Sequence, residues 1–247
     1  MKEELKIITY NVHGGRNLHK LKEILENNTN LKNADIICLQ EVEDHFSEGT
    51  PRAALLAEAL GYEYIYVPAR EIGKKGTHGL AIITRLKILE HSAASLPFYK
   101  QIYNSRKRIV QFALLETKGK RFGISNVHLD VRLNPEDRLA QLDAAINIAD
   151  HWHSMPTILV GDLNTIPVHW FKRGVPVFFK NQIQHVHMHL AQHGLKTAIE
   201  GKMRTHKAGM QLDGIYSRGI EVMKAGVEKR VRYSDHFPLW MNFKIAQ

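Results

Sequence analysis

"TILVGDLNTIP", residues 157–167, runs four residues fit for burial, Thr157 to Val160, straight into Gly161, Asp162, Leu163 and Asn164. An apolar run of this length stopped by a glycine reads as a strand. A single carboxylate at its tip would be an ordinary turn former. The same pattern recurs, however. "IITYNVHGG" (7–15) ends a strand in Asn11, followed by His13 and a glycine pair, and "IICLQEV" (36–42) ends one in Gln40 and Glu41. "FGISNVHLD" (122–130) ends in Asn126, His128 and Asp130, and "LDGIY" (212–216) carries Asp213 inside an apolar run. "RYSDHFPLW" (232–240) sets Asp235 and His236 directly before a strand. Strand ends along one sheet edge can converge on a common crevice. Oxygen ligands without a cysteine partner suit a hard cation such as Mg²⁺ or Mn²⁺. Histidines beside it would supply acid and base groups that work near neutral pH. The strands would then build the core, and their tips would hold a metal and a phosphate.

The 247 residues are 44% hydrophobic, enough for one large α/β domain spanning 1–247. No run of about 18 apolar residues suggests a membrane span. The opening MKEELKIITY has no apolar leader region, so a cytoplasmic protein is expected, unless a leader was cleaved ahead of it and the protein is secreted. The one cysteine, Cys38, lies in the apolar run ADIICLQEV and reads as a core thiol, which suits a reducing compartment. Thirty-four basic against 25 acidic residues leave a formal charge of +9, which favours polyanionic partners or forms a solvated basic surface.

Strand-like runs also appear at 62–67, 79–84, 109–116 and 237–243, several with period two. Helix-like runs are fewer. Residues 18–27 put Leu18, Leu21 and Leu25 on one stripe; residues 51–60 open on Pro51 as the first helical residue and stop at Gly61. Residues 135–150 follow Asn134 as N-cap, with Pro135, Glu136 and Asp137 in the first turn. Two packed sheets flanked by helices accommodate this order, and a single mixed sheet fits it as well.

TYNVHGG, LQEV, NVHLD, GDLN, LDGIY and SDHFPL, from residue 7 to about residue 240, stand in an order and spacing that resembles the endonuclease/exonuclease/phosphatase superfamily. That group includes deoxyribonuclease I, abasic-site endonucleases, neutral sphingomyelinases, inositol-polyphosphate 5-phosphatases and deadenylases. The resemblance implies a four-layer α/β/β/α sandwich of two mixed β-sheets flanked by helices, and a divalent-metal-dependent phosphoester hydrolase. It implies Glu41 as principal metal ligand beside Asn11, with Asp235 as a further one, for Mg²⁺ or Mn²⁺. Asp162 would orient or deprotonate the attacking water or bind a second ion, and Asn164 would hydrogen-bond a phosphate oxygen. His236 would be a base or a phosphate-binding cation, oriented by Asp213. His128 would donate to the phosphate or the leaving group.

Arg106 and Arg108 in YNSRKRIVQF would clamp the phosphate, or else form a solvated charge cluster on an edge strand. His78 reads as a loop residue near the site. The histidine run HVHMHLAQHG (185–194) reads as a helix with Val186 and Leu190 inward and His185, His189 and His193 on a solvated face, in preference to a zinc site. Aromatic residues with basic neighbours at 98–103 and 169–180 would pack loops, stack on bases or touch lipid. The second segment follows GDLN and is the expected place for substrate choice. A phosphodiester substrate such as nucleic acid, a phospholipid, and a small phosphorylated molecule remain competing readings, with a membrane surface less favoured as a partner and a monomer expected. An inactive binding module would show decay at the mapped positions, and every one is filled.

Overall fold

The computed structural model describes residues 4–102, 105–149, 155–172, 175–178, 182–199, 201 and 203–246. Period-two alternation sorts strand side chains between two apolar faces. In β1 (Leu5–Gly14), Leu5 and Ile7 face one cluster while Ile8, Tyr10 and Val12 face another. In β2 (Ile36–His45), Ile36 and Cys38 take the first side and Ile37 and Leu39 the second. Strands apolar on both faces belong between two covering layers.

That is the observed arrangement. The first sheet runs β13 (Ile220–Val227), β14 (Leu239–Ile245), β1, β2, β4 (Gly76–Thr84), β3 (Glu63–Glu71). The second runs β11 (Lys196–Thr197), β12 (Asp213–Arg218), β8 (Thr157–Asp162), β7 (Lys120–His128), β6 (Ile109–Thr117), β5 (Lys87–Ser95). Both are mixed, with β1 parallel to β2 and β7 parallel to β8. Ile7, Ile36 and Cys38 meet Ile124, Ile158 and Val160 in the core between the sheets. Outside the first sheet, α1 (Leu18–Asn27) and α2 (Arg52–Leu60) bury Leu21, Leu25, Ala53 and Leu56. Outside the second, α3 (Pro135–Ala149) and α4 (Ile183–Gln192) bury Leu142, Ile146, Val186 and Leu190. The expected four layers are therefore present. Among the described residues no helix is long and apolar enough to cross a membrane.

Several local expectations need correction. Pro51 is the N-cap of α2 rather than its first helical residue, and Gly61 closes the helix in the left-handed conformation. Asn134 occupies the capping position of α3, where its carbonyl accepts from Arg138 N. Its side-chain oxygen instead accepts from Trp170 N at 2.6 Å. That bond ties α3 to a hairpin of β9 (Val168–Phe171) and β10 (Val175–Phe178), which lacks the long apolar runs of the core strands. The 109–116 strand is not an edge, because β5 pairs with it along Lys87–Ser95. Much of β5 is exposed, so it carries little apolar signal. His78 lies within β4 and is buried, rather than in a loop.

Buried polar contacts also cross the apolar core, among them Gln111 Nε2 donating to the Ile65 carbonyl at 2.9 Å. Gln40 Nε2 on β2 donates to Asn126 Oδ1 on β7 at 2.7 Å and to Thr9 Oγ1 at 2.9 Å. Asn126 Nδ2 donates back to the Leu39 and Ala81 carbonyls, each at 3.1 Å. Buried amides cost free energy unless paired, so this clasp favours one registry of the two sheets.

Gly161 shows how tightly the strands approach. It has φ +142°, and an added Cβ would sit 1.9 Å from the Val127 carbonyl oxygen of the neighbouring strand. Gly161→Ala is expected to lose roughly 3 kcal/mol in urea denaturation. Gly209→Ala has the same backbone handicap with nothing within 4 Å, so it is expected to lose about 1 kcal/mol.

Candidate active site

Five strands deliver the polar residues to one end of the sandwich. Asn11 lies on β1, Glu41 on β2, His128 on β7, Asp162 on β8 and Asp213 on β12. The pairing explains the convergence: His128 is opposite Asp162, and Asp162 is opposite Asp213. In the first sheet the register breaks between Asn11 and Gly14 and between Gln40 and Val42. Glu41 sits at that break with φ +57°, and a bulge of this kind re-aims a side chain. His13 at +45° and Asn164 at +49° are also left-handed, so three non-glycine residues hold a costly backbone conformation at one place.

Asp162 is the centre. Its Oδ2 accepts from Asn11 Nδ2 at 2.9 Å, and His128 Nε2 and His236 Nε2 stand 3.4 and 3.8 Å away. Its Oδ1 accepts from Asn164 N at 3.0 Å. Asn164 Nδ2 is spent on the Leu129 carbonyl at 2.8 Å, so this residue also fixes the loop after β7. Burial, and then Asp213, push the Asp162 carboxyl above its usual range, against the pull of His236 and Asn11.

His236 is held at Nδ1 by both oxygens of Asp213, at 3.0 and 2.9 Å. Burial lowers its pKa, but Asp213 and Asp162 outweigh that and raise it well above the ordinary imidazole range. Ser234 builds the turn beneath it: its Oγ donates to the Asn11 carbonyl at 2.7 Å and accepts from His236 N at 3.0 Å.

His128 is set the opposite way. Arg108 Nη1 lies 2.9 Å from His128 Nδ1. A guanidinium can only donate, so Nδ1 must accept and the ring proton sits on Nε2. Burial, and then Arg108, hold the pKa of this histidine far below its ordinary value. Arg108 is itself buried behind the imidazole, not on a solvated strand edge. Arg106 is half-buried, and its charge bears on Arg70, Arg108 and Arg132.

Glu41 faces His78 and His128 at 3.7 Å each and His13 at 4.0 Å. Burial would raise its carboxyl, but His78, His128 and Arg108 hold it well below the usual range. These gaps exceed hydrogen-bond length, so both carboxylate oxygens are open to another partner. Asp235 lies beyond His13, with 3.5 Å between His13 Nδ1 and Asp235 Oδ1, an oxygen buried without a hydrogen-bond partner. Among the described residues, two groups of the centre bring ligand atoms within 4.8 Å of one another, His206 with Asp235 and His236, and Asp162 with Asp213 and His236. With Glu41 close by and no sulfur, these donors fit a divalent cation.

Four contributors were not assigned a role from sequence. His13 stands between Glu41 and Asp235, His78 abuts Glu41, and Arg70 pairs opposite His78 across β3 and β4. His206 lies 3.4 Å from Asp235 Oδ2 with its ring edge-on to His236. His206 comes from MRTHKAG, a loop with no periodic signal. Nitrogen NMR of the imidazoles tests the Arg108 contact: His128 is expected as the Nε2–H tautomer in the wild type, and Arg108→Met should release that preference.

The sequence pattern of the endonuclease/exonuclease/phosphatase family matches residues 8–236. No curated protein matches the chain by sequence. Among solved structures, an endonuclease/exonuclease/phosphatase from Beutenbergia cavernae superposes with a TM-score of 0.76 at 17% identity, covering 99% of this chain and 72% of that one. The human Nocturnin catalytic domain with bound sulfate gives 0.72 at 21% identity, covering 98% and 94%. TDP2 of D. rerio, complexed with a single-strand DNA product, gives 0.70 at 17% identity, covering 98% and 100%. These likenesses show a shared fold, and the match along residues 8–236 shows that the chain belongs to the endonuclease/exonuclease/phosphatase family.

Proposed function

We propose that the protein is a divalent-metal-dependent phosphodiesterase whose first substrate class is a polyanionic chain such as nucleic acid. The observation that carries this reading is basic charge on both flanks of the acid–imidazole floor. On one flank, beyond β1, a cavity of about 270 Å³ is lined by His13, Arg16 and Lys20 among others. On the other, beyond β4, stand Arg70, Arg106 and Arg132. A diester continues on both sides of the scissile phosphate, and cations on both sides suit it. A monoester needs them on one side only.

The residues divide the chemistry by geometry. Glu41, with Asn11 and Asp235, would hold the cation, which supplies charge neutralisation at the phosphate. Water drawn against Asp162 Oδ2 would lose its proton into the array of Asp162, His236 and Asp213. His128, holding its proton on Nε2, would donate to a phosphate or leaving oxygen.

A second reading, cleavage of a phospholipid, rests on the hairpin tied to Asn134. Phe171 is 55%, Val175 57% and Phe178 84% exposed. Exposed aromatic and branched residues on a ribbon beside a basic site suit a lipid interface.

Hydrolysis of bis-p-nitrophenyl phosphate and p-nitrophenyl phosphate with Mg²⁺, Mn²⁺ or EDTA tests the proposal. Diester cleavage is expected to require metal, to fall about 10²–10⁴-fold in His236→Ala, and to be lost in Glu41→Ala. A preference for the monoester overturns the diesterase reading. Cleavage of sphingomyelin vesicles in preference to DNA or RNA moves the substrate class to lipid.

A further inference from the structure

The histidine run on α4 meets a partner that sequence order hides. His189 and His193 lie one turn apart and so share a helix face. Asp143, from the middle of α3, reaches that face: its Oδ1 lies 2.5 Å from His189 Nε2 and 3.8 Å from His193 Nε2. The two rings are 5.3 Å apart between centroids. One ligand atom from each of the three residues lies within 4.8 Å of the others. Two ligands on one tetrahedral zinc, each bonded at about 2.0 Å, stand about 3.3 Å apart. The two carboxylate–imidazole gaps straddle that spacing, so small side-chain rotations would bring all three onto one ion.

We propose that Asp143, His189 and His193 form a transition-metal site, for Zn²⁺ by its ligand chemistry, that staples α3 to α4. It is separate from the active centre in place, on α3 and α4 rather than at the strand ends. The active centre has its own group of two imidazoles and one carboxylate in His206, Asp235 and His236. Two imidazoles and one carboxylate suit zinc rather than magnesium. The side chains are 42%, 21% and 33% exposed, in the order Asp143, His189, His193, so an ion can enter and water can complete its shell. The apolar sides of both helices are already fixed on the second sheet through Leu142, Ile146, Val186 and Leu190. Their polar rims are thereby held together before any ion arrives, which lowers the ordering cost of binding.

The test uses the full-length protein and zinc chloride in isothermal titration calorimetry, with Co²⁺ absorption as a spectroscopic probe. Wild type is compared with Glu41→Gln, which alters the active centre, and with His193→Gln and His189→Gln. A zinc-binding event that persists in Glu41→Gln and weakens roughly 100-fold in His193→Gln is expected. Co²⁺ should give a four-coordinate visible band in wild type and Glu41→Gln that His193→Gln abolishes. In the Glu41→Gln background, EDTA should lower the Tm of the zinc-loaded protein by more than it lowers that of Glu41→Gln/His193→Gln. If His189→Gln fails to fold, the more exposed His193→Gln decides alone. Zinc binding that is unchanged in His193→Gln, lost only in Glu41→Gln, or confined to millimolar metal overturns the site and leaves a hydrogen-bonded ion pair between the helices.

Discussion

The contact on which the rest of this structure depends is the amide clasp between Gln40 and Asn126. Apolar packing between two sheets is non-directional and tolerates sliding. A buried amide does not, because an unpaired donor or acceptor in the core costs its full desolvation. Gln40 immediately precedes Glu41, and Asn126 lies two residues before His128 on the opposing sheet. The clasp therefore ties the two sheets together one or two residues from Glu41 and His128, which stand 3.7 Å apart. The site's geometry is inherited from the sheet interface.

Within that frame, two histidines of similar appearance in sequence are driven to opposite states. His128 has a guanidinium at Nδ1, and His236 has a carboxylate there. The first is held neutral with its proton on Nε2, and the second is held as a cation. Asp162 faces both, so proton donor, acceptor and charge are laid out around one buried carboxylate. Such division of labour by environment is how one scaffold performs acid and base chemistry near neutral pH.

The strands β1, β2, β7 and β8 were legible because burial on both faces makes long apolar runs, and all nine runs read as strands fall on strands of the two sheets. The exposed strand β5 and the hairpin of β9 and β10 were less legible, because strands with little buried surface carry little pattern. Asn134 was placed correctly as a cap by position, yet its side chain bonds Trp170, a contact 36 residues away. Arg108 read as either a phosphate clamp or a surface cation, since its sequence neighbours are charged; its burial comes from His78 and Leu80 of the facing sheet and from His128 beside it.

By itself the sequence determined which runs are strands and which residue types stand at their ends, because both are local patterns; the layering was implied by the order of motifs that resembles the family. Only the tertiary structure decided which of those ends meet. Strand order and register bring Asn11 to Asp162 across 151 residues, and the packing of α3 beside α4 brings Asp143 to His189 across 46. It also placed His13, His78 and His206 against the carboxylates they face, which no local pattern around them indicates. Protonation follows the same division: a side chain's intrinsic pKa is written in its identity, but burial and neighbouring charge, which reset it, exist only in the folded chain.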